Sequence, residues 1–332
     1  MKNVRLVDIA KELNITKVSV SKALRDHPDI AENTREKVKK MAKKMGYRPN
    51  LVARSLTSST SKTIGIIIPK IAHFFFATAM EGIYNAAKSS GYEVFLGVSF
   101  EDEAQERKLL ETMMEMRVDG LLISITQNTS NPDRFKELKK MGIDLVFFDR
   151  GMRDSGFSYV KAEDRNSAKM GVSKLIELGY SEIAHLAGFN NIEIGKARKD
   201  GYLDALNEAN ITMPDSAIVE GGFSEKDGYK GFQTLLDTYG KPKALFAVTY
   251  PVGLGAIECM EDNGIDPSEV NILSFGRSNF NNYLASPFLC IDQPTYELGK
   301  RAMEKLVEEI QSKNSITPEL IEMPSIFSGD GS

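Results

Sequence analysis

The 332-residue chain has no tryptophan, two cysteines and three histidines. Cys259 and Cys290 carry no metal-site spacing and no disulfide framework, so they read as buried free thiols. His27, His73 and His185 belong to no recognisable triad, and no G-x-S-x-G elbow is present. His185, inside an apolar stretch, reads as a core histidine. No apolar run approaches the roughly 18 residues of a membrane span. The opening MKNVRLVDIAKEL has no signal-peptide core, so a cytoplasmic protein with no membrane partner is expected. Gly253-Leu254-Gly255 lacks the third glycine of a dinucleotide fingerprint and reads as close helix packing. Gly188 and Gly195-Lys196 have the wrong spacing for a phosphate loop. No catalytic constellation, metal site or cofactor is expected.

What is present is size and an uneven charge. The length suits two or three domains, and 42% hydrophobic residues can build a substantial core. Residues 1–62 hold 15 Lys+Arg against 6 Asp+Glu, a net of +9, and the rest carries a net of −13. A basic head on an acidic body suits a head that sits on phosphate and a body that stays off it.

The head is organised around Leu6 to Arg25. Leu6, Ile9, Ala10 and Leu13 recur at helical spacing; Asn14 tolerates a left-handed backbone and can end that helix. Thr16 can cap a second helix whose inward face is Val20, Ala23 and Leu24. Lys17, Val18, Ser19, Ser21 and Lys22 are left outward. Short, polar and basic residues are what a helix needs in a major groove. The alternative is an ordinary surface helical hairpin. A third, basic helix spans about Glu32 to Lys44, with Val38, Met41, Ala42 and Met45 inward and Gly46 as its stop. Most of its lysines read as a solvated face.

The pattern Asp8-Ile9-Ala10, Leu13-Asn14-Ile15-Thr16, Val20-Ser21-Lys22-Ala23-Leu24 resembles the opening motif of the LacI/GalR family of bacterial transcription regulators. Tyr47-Arg48-Pro49-Asn50-Leu51-Val52-Ala53-Arg54-Ser55-Leu56 resembles that family's hinge motif. The resemblance implies paired hinge helices that form on the operator. Leu56 would be the wedge between base pairs, Ala53 the close approach, and Asn50 and Arg54 would lie near the backbone. Without the resemblance, residues 47–61 read as a plain linker.

From Thr63 short apolar strands alternate with amphipathic helices. Strands are expected near 64–68, 93–98, 120–125, 144–148, 182–186, 217–221, 243–248, 270–275 and 289–291. Such alternation means parallel sheets with helices on both faces. The expected fold is an N-terminal all-α helix-turn-helix head with a hinge helix, followed by an α/β two-lobed core. The core is similar to a periplasmic binding protein. The expected domains are 1–46, a hinge at 47–61, and a core at 62–332. Its lobes are approximately 62–161 plus 292–320, and 162–291 plus 321–332.

Ligands in open α/β sheets bind beyond the carboxyl ends of strands. After the first strand come Lys70, His73, Phe74, Phe75 and Phe76; one or two of the aromatics can line a cleft and the others pack the core. Asp149-Arg150 matches the family's Asp-Arg pair, Arg198 falls where the family grips its effector, and Asp164 matches a further family position. Two departures follow. Thr249-Tyr250 stands where the family has Asn-Asp, and Ser274-Phe275-Gly276, followed by Arg277, where it has Gly-Phe-Asp. Expected effector contacts are His73, Phe74, Phe75, Arg150, Asp164, Arg198, Tyr250 and Arg277. A cleft with cationic donors and few acceptors prefers an anionic ligand.

The expected function is a homodimeric regulator, a repressor by resemblance, of a near-palindromic double-stranded operator. Lys17, Val18 and Lys22 would read base edges, and Ser19, Ser21 and Arg25 would hold phosphates. The effector would be a sugar, sugar phosphate or sugar acid. The alternative is the solute-binding protein of a sugar transporter, which the basic head argues against.

Overall fold

A computed structural model describes residues 4–47, 60–72, 74–312 and 317–329. Contacts divide the chain into two compact units, Met1–Ser61 and Lys62–Ser332. The hinge residues Asn50, Ala53, Arg54 and Leu56, and also His73, lie outside the described residues.

The first unit holds α1 (Leu6–Glu12), α2 (Lys17–Ala23) and α3 (Glu32–Met45). Its small core is Ile9, Ala10, Val20, Ala23, Val38 and Ala42, flanked by Leu6, Leu13, Leu24, Met41 and Met45. These are the faces the helical spacing predicts. Asn14 turns the chain with φ +49°. The Thr16 side chain then accepts from the Ser19 amide at 3.0 Å and starts α2. Gly46, at φ +70°, ends α3 with a left-handed cap.

The second unit runs β1 (Thr63–Ile68), α4 (Phe74–Ser89), β2 (Glu93–Val98), α5 (Glu103–Glu115), β3 (Gly120–Ile123), α6 (Asp133–Lys140), β4 (Asp144–Phe148) and β5 (Ser158–Ala162). It continues through α7 (Asp164–Glu177), β6 (Ile183–Ala187), α8 (Glu193–Glu208), β7 (Ile218–Glu220), α9 (Glu225–Thr238), β8 (Ala244–Ala247), α10 (Tyr250–Asp262), β9 (Asn271–Phe275) and β10 (Leu289–Asp292). It closes with α11 (Thr295–Gln311), β11 (Leu320–Met323) and β12 (Ile326–Ser328). Two six-stranded sheets result, ordered β11-β5-β4-β3-β1-β2 and β12-β10-β9-β8-β6-β7. Among their pairings only β12 with β10 is antiparallel.

Strand alternation feeds two helical layers per sheet. In the first sheet Ile64, Ile66, Leu122, Val146 and Phe148 pack toward α4 and α11. Ile67, Leu121, Ile123, Leu145 and Phe147 pack toward α5 and α6. The second sheet does the same, with Leu186, Leu245 and Ala247 on one side and Ile183, Ala244 and Phe246 on the other. Helices touch through glycine. A Cβ at Gly255 would stand 1.8 Å from the Glu225 carbonyl oxygen, so α9 and α10 meet backbone to backbone there. That is the close packing expected of Gly253-Leu254-Gly255.

Three strands go beyond the nine expected. β5, Ser158-Tyr159-Val160-Lys161-Ala162, carries a lysine that breaks its apolar signal, yet Lys161 is 1% exposed. Its Nζ lies 2.9 Å from Glu193 Oε1 and 3.4 Å from Asp164 Oδ2, so the buried charge is matched. β11 and β12 are short edge strands. β11 pairs in parallel with β5 of the first sheet, from Leu320 to Met323.

Candidate DNA-reading surface and ligand cleft

On α2, Lys17 and Val18 are exposed, Val18 by 64%. The helix has no acidic residue in its first turn. Ser19 and Ser21 are half-buried; the Ser19 hydroxyl meets the Thr16 hydroxyl at 2.9 Å. Lys22 is half-buried, and its ammonium donates to Asp29 Oδ2 at 2.7 Å. Exposed Arg25 donates from Nε to the Ser21 carbonyl at 3.1 Å. The strip carries one exposed apolar side chain, Val18, among hydroxyl and cationic groups.

The second unit encloses a cavity of about 380 Å³. Of the expected contacts, Phe74, Phe75, Arg150, Arg198, Tyr250 and Arg277 line it. Asp164 does not: its carboxylate sits behind Arg198, which grips Oδ1 through Nε at 2.9 Å and Nη2 at 2.8 Å. Arg198 also donates from Nη1 to the Val248 carbonyl at 2.7 Å and lies 3.6 Å over the Phe275 ring. The three consecutive phenylalanines split: Phe76 is buried in the core, Phe75 is half-buried and Phe74 is 47% exposed.

The expectation of few acceptors is corrected. Glu101, Asp149 and Asp227 all line the cavity. Glu101 accepts from Arg150 Nη1 at 2.7 Å and from the Gln127 amide at 2.9 Å. Arg150, 9% exposed, sits 5.1 Å from the Phe223 ring. Asp227 serves the start of α9, accepting from the Ser224 amide at 3.0 Å. Burial pushes the Asp149 carboxyl up to about 6, although Arg150 and Arg198 oppose the rise and Ser124 donates to it at 3.2 Å. Arg150 and Arg198 are thus largely neutralised. Lys70 and Arg277 are more loosely held: Lys70 Nζ is 3.8 Å from Glu225, and Arg277 Nη2 donates to Asn282 Oδ1 at 3.3 Å.

Phe100, Glu101, Gln127, Phe223, Asp227 and Gln293 went unread in the sequence. Each follows the carboxyl end of a strand, β2, β3, β7 or β10, and inspecting every strand end would have found them. His185 is fully buried, its Nδ1 2.8 Å from the Phe246 carbonyl and its ring stacked 4.5 Å from the Phe246 ring. Burial holds its pKa down to about 3. Among the described residues no cluster of His, Cys, Asp or Glu can hold a metal ion, and no helix is long and apolar enough to cross a membrane.

Comparison with known proteins agrees with both halves. Residues 5–50 match the bacterial regulatory proteins of the lacI family, and residues 64–314 match the periplasmic binding protein domain. The chain is 30% identical to catabolite control protein A of Priestia megaterium over 97% of both chains. A LacI family transcriptional regulator from Enterococcus faecium, solved with bound ribose, is 26% identical, with a TM-score of 0.68 over 80% of this chain and 97% of that one. The lac repressor dimer, solved on operator with an anti-inducer, shares the fold with a TM-score of 0.85 at 20% identity, over 99% of this chain and 98% of that one. These relatives are regulators and not enzymes, and a match at residues 5–50 leaves no room for a transporter's solute-binding protein. The chain belongs to the lacI family of bacterial regulatory proteins, transcription regulators that bind DNA through a helix-turn-helix head.

Proposed function

We propose that the protein is a cytoplasmic homodimer that reads a near-palindromic operator, most simply as a repressor, and adjusts its grip to a carbohydrate-like effector carrying one anionic group. One observation carries the DNA half: Val18, an apolar side chain left 64% exposed between two lysines on a short helix. Exposed apolar surface flanked by donors suits a thymine methyl and base edges. Lys17, Val18 and Lys22 then face bases, and Ser19, Ser21 and Arg25 face phosphates. The hinge reading of Asn50, Ala53, Arg54 and Leu56 rests on the family motif alone. A dimer finds support in the edge strand β2, which leaves Phe95 and Leu96 exposed, and in Tyr84 of α4, 52% exposed.

For the effector, Phe74, Phe100 and Phe223 offer faces for a ring, and Glu101, Gln127, Asp149 and Gln293 offer partners for hydroxyls. The ribose in the Enterococcus faecium relative favours a sugar. Arg150 and Arg198 are already matched by Glu101 and Asp164, so the anionic group, a phosphate or a carboxylate, falls to Arg277 and Lys70. The effector changes operator affinity only by its unequal binding to the two states of the core. The test is a selection of bound sequences from random duplexes, followed by calorimetric titration with neutral monosaccharides, sugar phosphates and uronic acids. A palindromic selected sequence and preference for an anionic sugar are expected. Tight binding of neutral sugars alone would defeat the anionic part.

A further inference from the structure

We propose that Asp29 sets the stringency of DNA reading by holding Lys22 away from phosphate. The inference rests on α2 being the reading helix. The loop that follows α2 is fastened by two carboxylates. Asp26, left-handed at φ +55°, meets Lys39 of α3, and its carbonyl oxygen accepts from Arg35 Nη1 at 3.3 Å. Asp29 reaches the other way and binds Lys22 at 2.7 Å. The Asp29 amide donates to Nδ1 of His27 at 3.3 Å, which closes the loop. The hydrogen bond from Lys22, with the nearby His27 and the lysine charge, holds the Asp29 carboxyl below the ordinary carboxylate range. Asp29 is therefore a carboxylate throughout the neutral range.

The other cations of this strip are placed differently. Among the described residues Lys17 is exposed with no carboxylate partner, and Arg25 donates to the Ser21 carbonyl and to no carboxylate. Lys22 is, among the described residues, the one cation of α2 paired to an acid. A lysine free to swing finds a phosphate on any duplex, and each such contact adds affinity without sequence information. The ammonium has three donors, so a lysine held by Asp29 can keep that bond and still donate to a base edge lying opposite it, such as guanine O6 and N7, while the tether denies it the phosphates. On the wrong sequence the ion pair stays closed and the contact is not made. Asp29 also places a negative group near the duplex, which penalises every sequence where Lys22 does not compensate it. Discrimination comes from both effects.

The experiment uses the full chain and three variants, Asp29→Asn, Lys22→Ala and the double substitution. A part-exposed ion pair contributes little to folding, and circular dichroism of each variant checks that the head is intact. The probes are a pool of random duplexes and the sequence selected from it by the unsubstituted protein, each titrated across a salt series. Asp29→Asn is expected to raise affinity for the random pool at low salt and to narrow the ratio between selected and random DNA. One freed phosphate contact per head steepens the salt dependence by about one for each head, so the gain shrinks about tenfold for two heads as salt rises from about 50 to about 200 mM. The double variant should bind selected and random DNA somewhat more tightly than Lys22→Ala does, because the uncompensated Asp29 charge is gone, without the steeper salt dependence of Asp29→Asn. If Lys22→Ala weakens selected binding while Asp29→Asn leaves random-pool affinity and salt slope unchanged, the stringency proposal fails and the reading helix stands. If Lys22→Ala has no effect on either DNA, the placement of α2 on the duplex fails, and the proposal with it.

Discussion

The two lobes of the core share a sheet order but supply their cleft edges by different means. The first lobe brings Phe100, Glu101 and Asp149 to the cavity in the left-handed backbone region, at φ +53°, +59° and +60°. The second brings Gly276, at φ +86°. A left-handed L-residue costs about 1–2 kcal/mol, and glycine escapes that cost. Strain of this kind persists where the surroundings over-determine it, which is the habit of ligand sites. The first lobe thus presents strained side chains to the cavity, and the second presents an unstrained bend. They also differ in how charge is stored: Arg198 and Asp164 of the second lobe are 3% and 2% exposed, whereas Glu101 of the first lobe's pair keeps 29% of its side chain in water.

The largest expected effect tests that difference in burial. Arg198→Met removes the hydrogen-bond donors that hold Asp164 Oδ1 and should cost about 3–5 kcal/mol in denaturant unfolding of the core. Arg150→Met leaves Glu101 hydrated and still bonded to the Gln127 amide, so it should cost about 1 kcal/mol. Equal losses would erase the distinction between the lobes.

Next in size is a pair of opposed pH responses. His185 titrates near 3 when folded and near 6.5 unfolded, so the unfolded chain takes up its proton first. Its contribution is lost as pH falls from 6.5, by about 3 kcal/mol at pH 4. Asp149 titrates near 6 when folded against 3.8 unfolded, so here the folded chain takes the proton first. Its stabilisation is full below 3.8 and is lost as pH rises through 6, again by about 3 kcal/mol. Between pH 4 and 6.5 the two oppose each other. His185→Gln should therefore gain stability on acidification relative to the unsubstituted protein, and Asp149→Asn should lose it. Melting curves across that range measure both, and slopes departing in the same direction would refute the assignment.

Much of this is legible in the sequence. The head could be read because its faces, cap and stops are local: Ile9, Val20 and Val38 follow helical spacing, and Thr16 and Gly46 sit where their backbone chemistry requires. The central strands were readable as apolar runs buried on both sides. β5 was not, because Lys161 looks like a surface residue until Glu193 and Asp164 arrive from other elements to match it. The balance of the cleft was misjudged for a related reason. Arg150 and Arg198 are visible as cations, but the carboxylates that neutralise them, Glu101 and Asp164, are 49 and 34 residues away in sequence. Pairing at that separation is a property of the sheet order and not of any window of sequence.

The smallest effect bears most directly on why the first lobe keeps its strain. Phe100 is 72% exposed, an unusual place for a bulky left-handed residue, and its ring lines the cavity. Packing does not explain it, since so little of the ring is covered. Phe100→Gly should relieve the backbone strain but add unfolded-state entropy, leaving a net gain of about 0.5–1 kcal/mol in stability. The same change should weaken whichever sugar of the titration series binds, because a stacking face is removed. Glu101→Gly relieves strain equally but frees Arg150 and the Gln127 amide, so its gain in stability should be absent. A stabilised Phe100→Gly protein with unaltered ligand affinity would mean that the strained ring serves no ligand, and the contrast between the lobes would then be one of geometry alone.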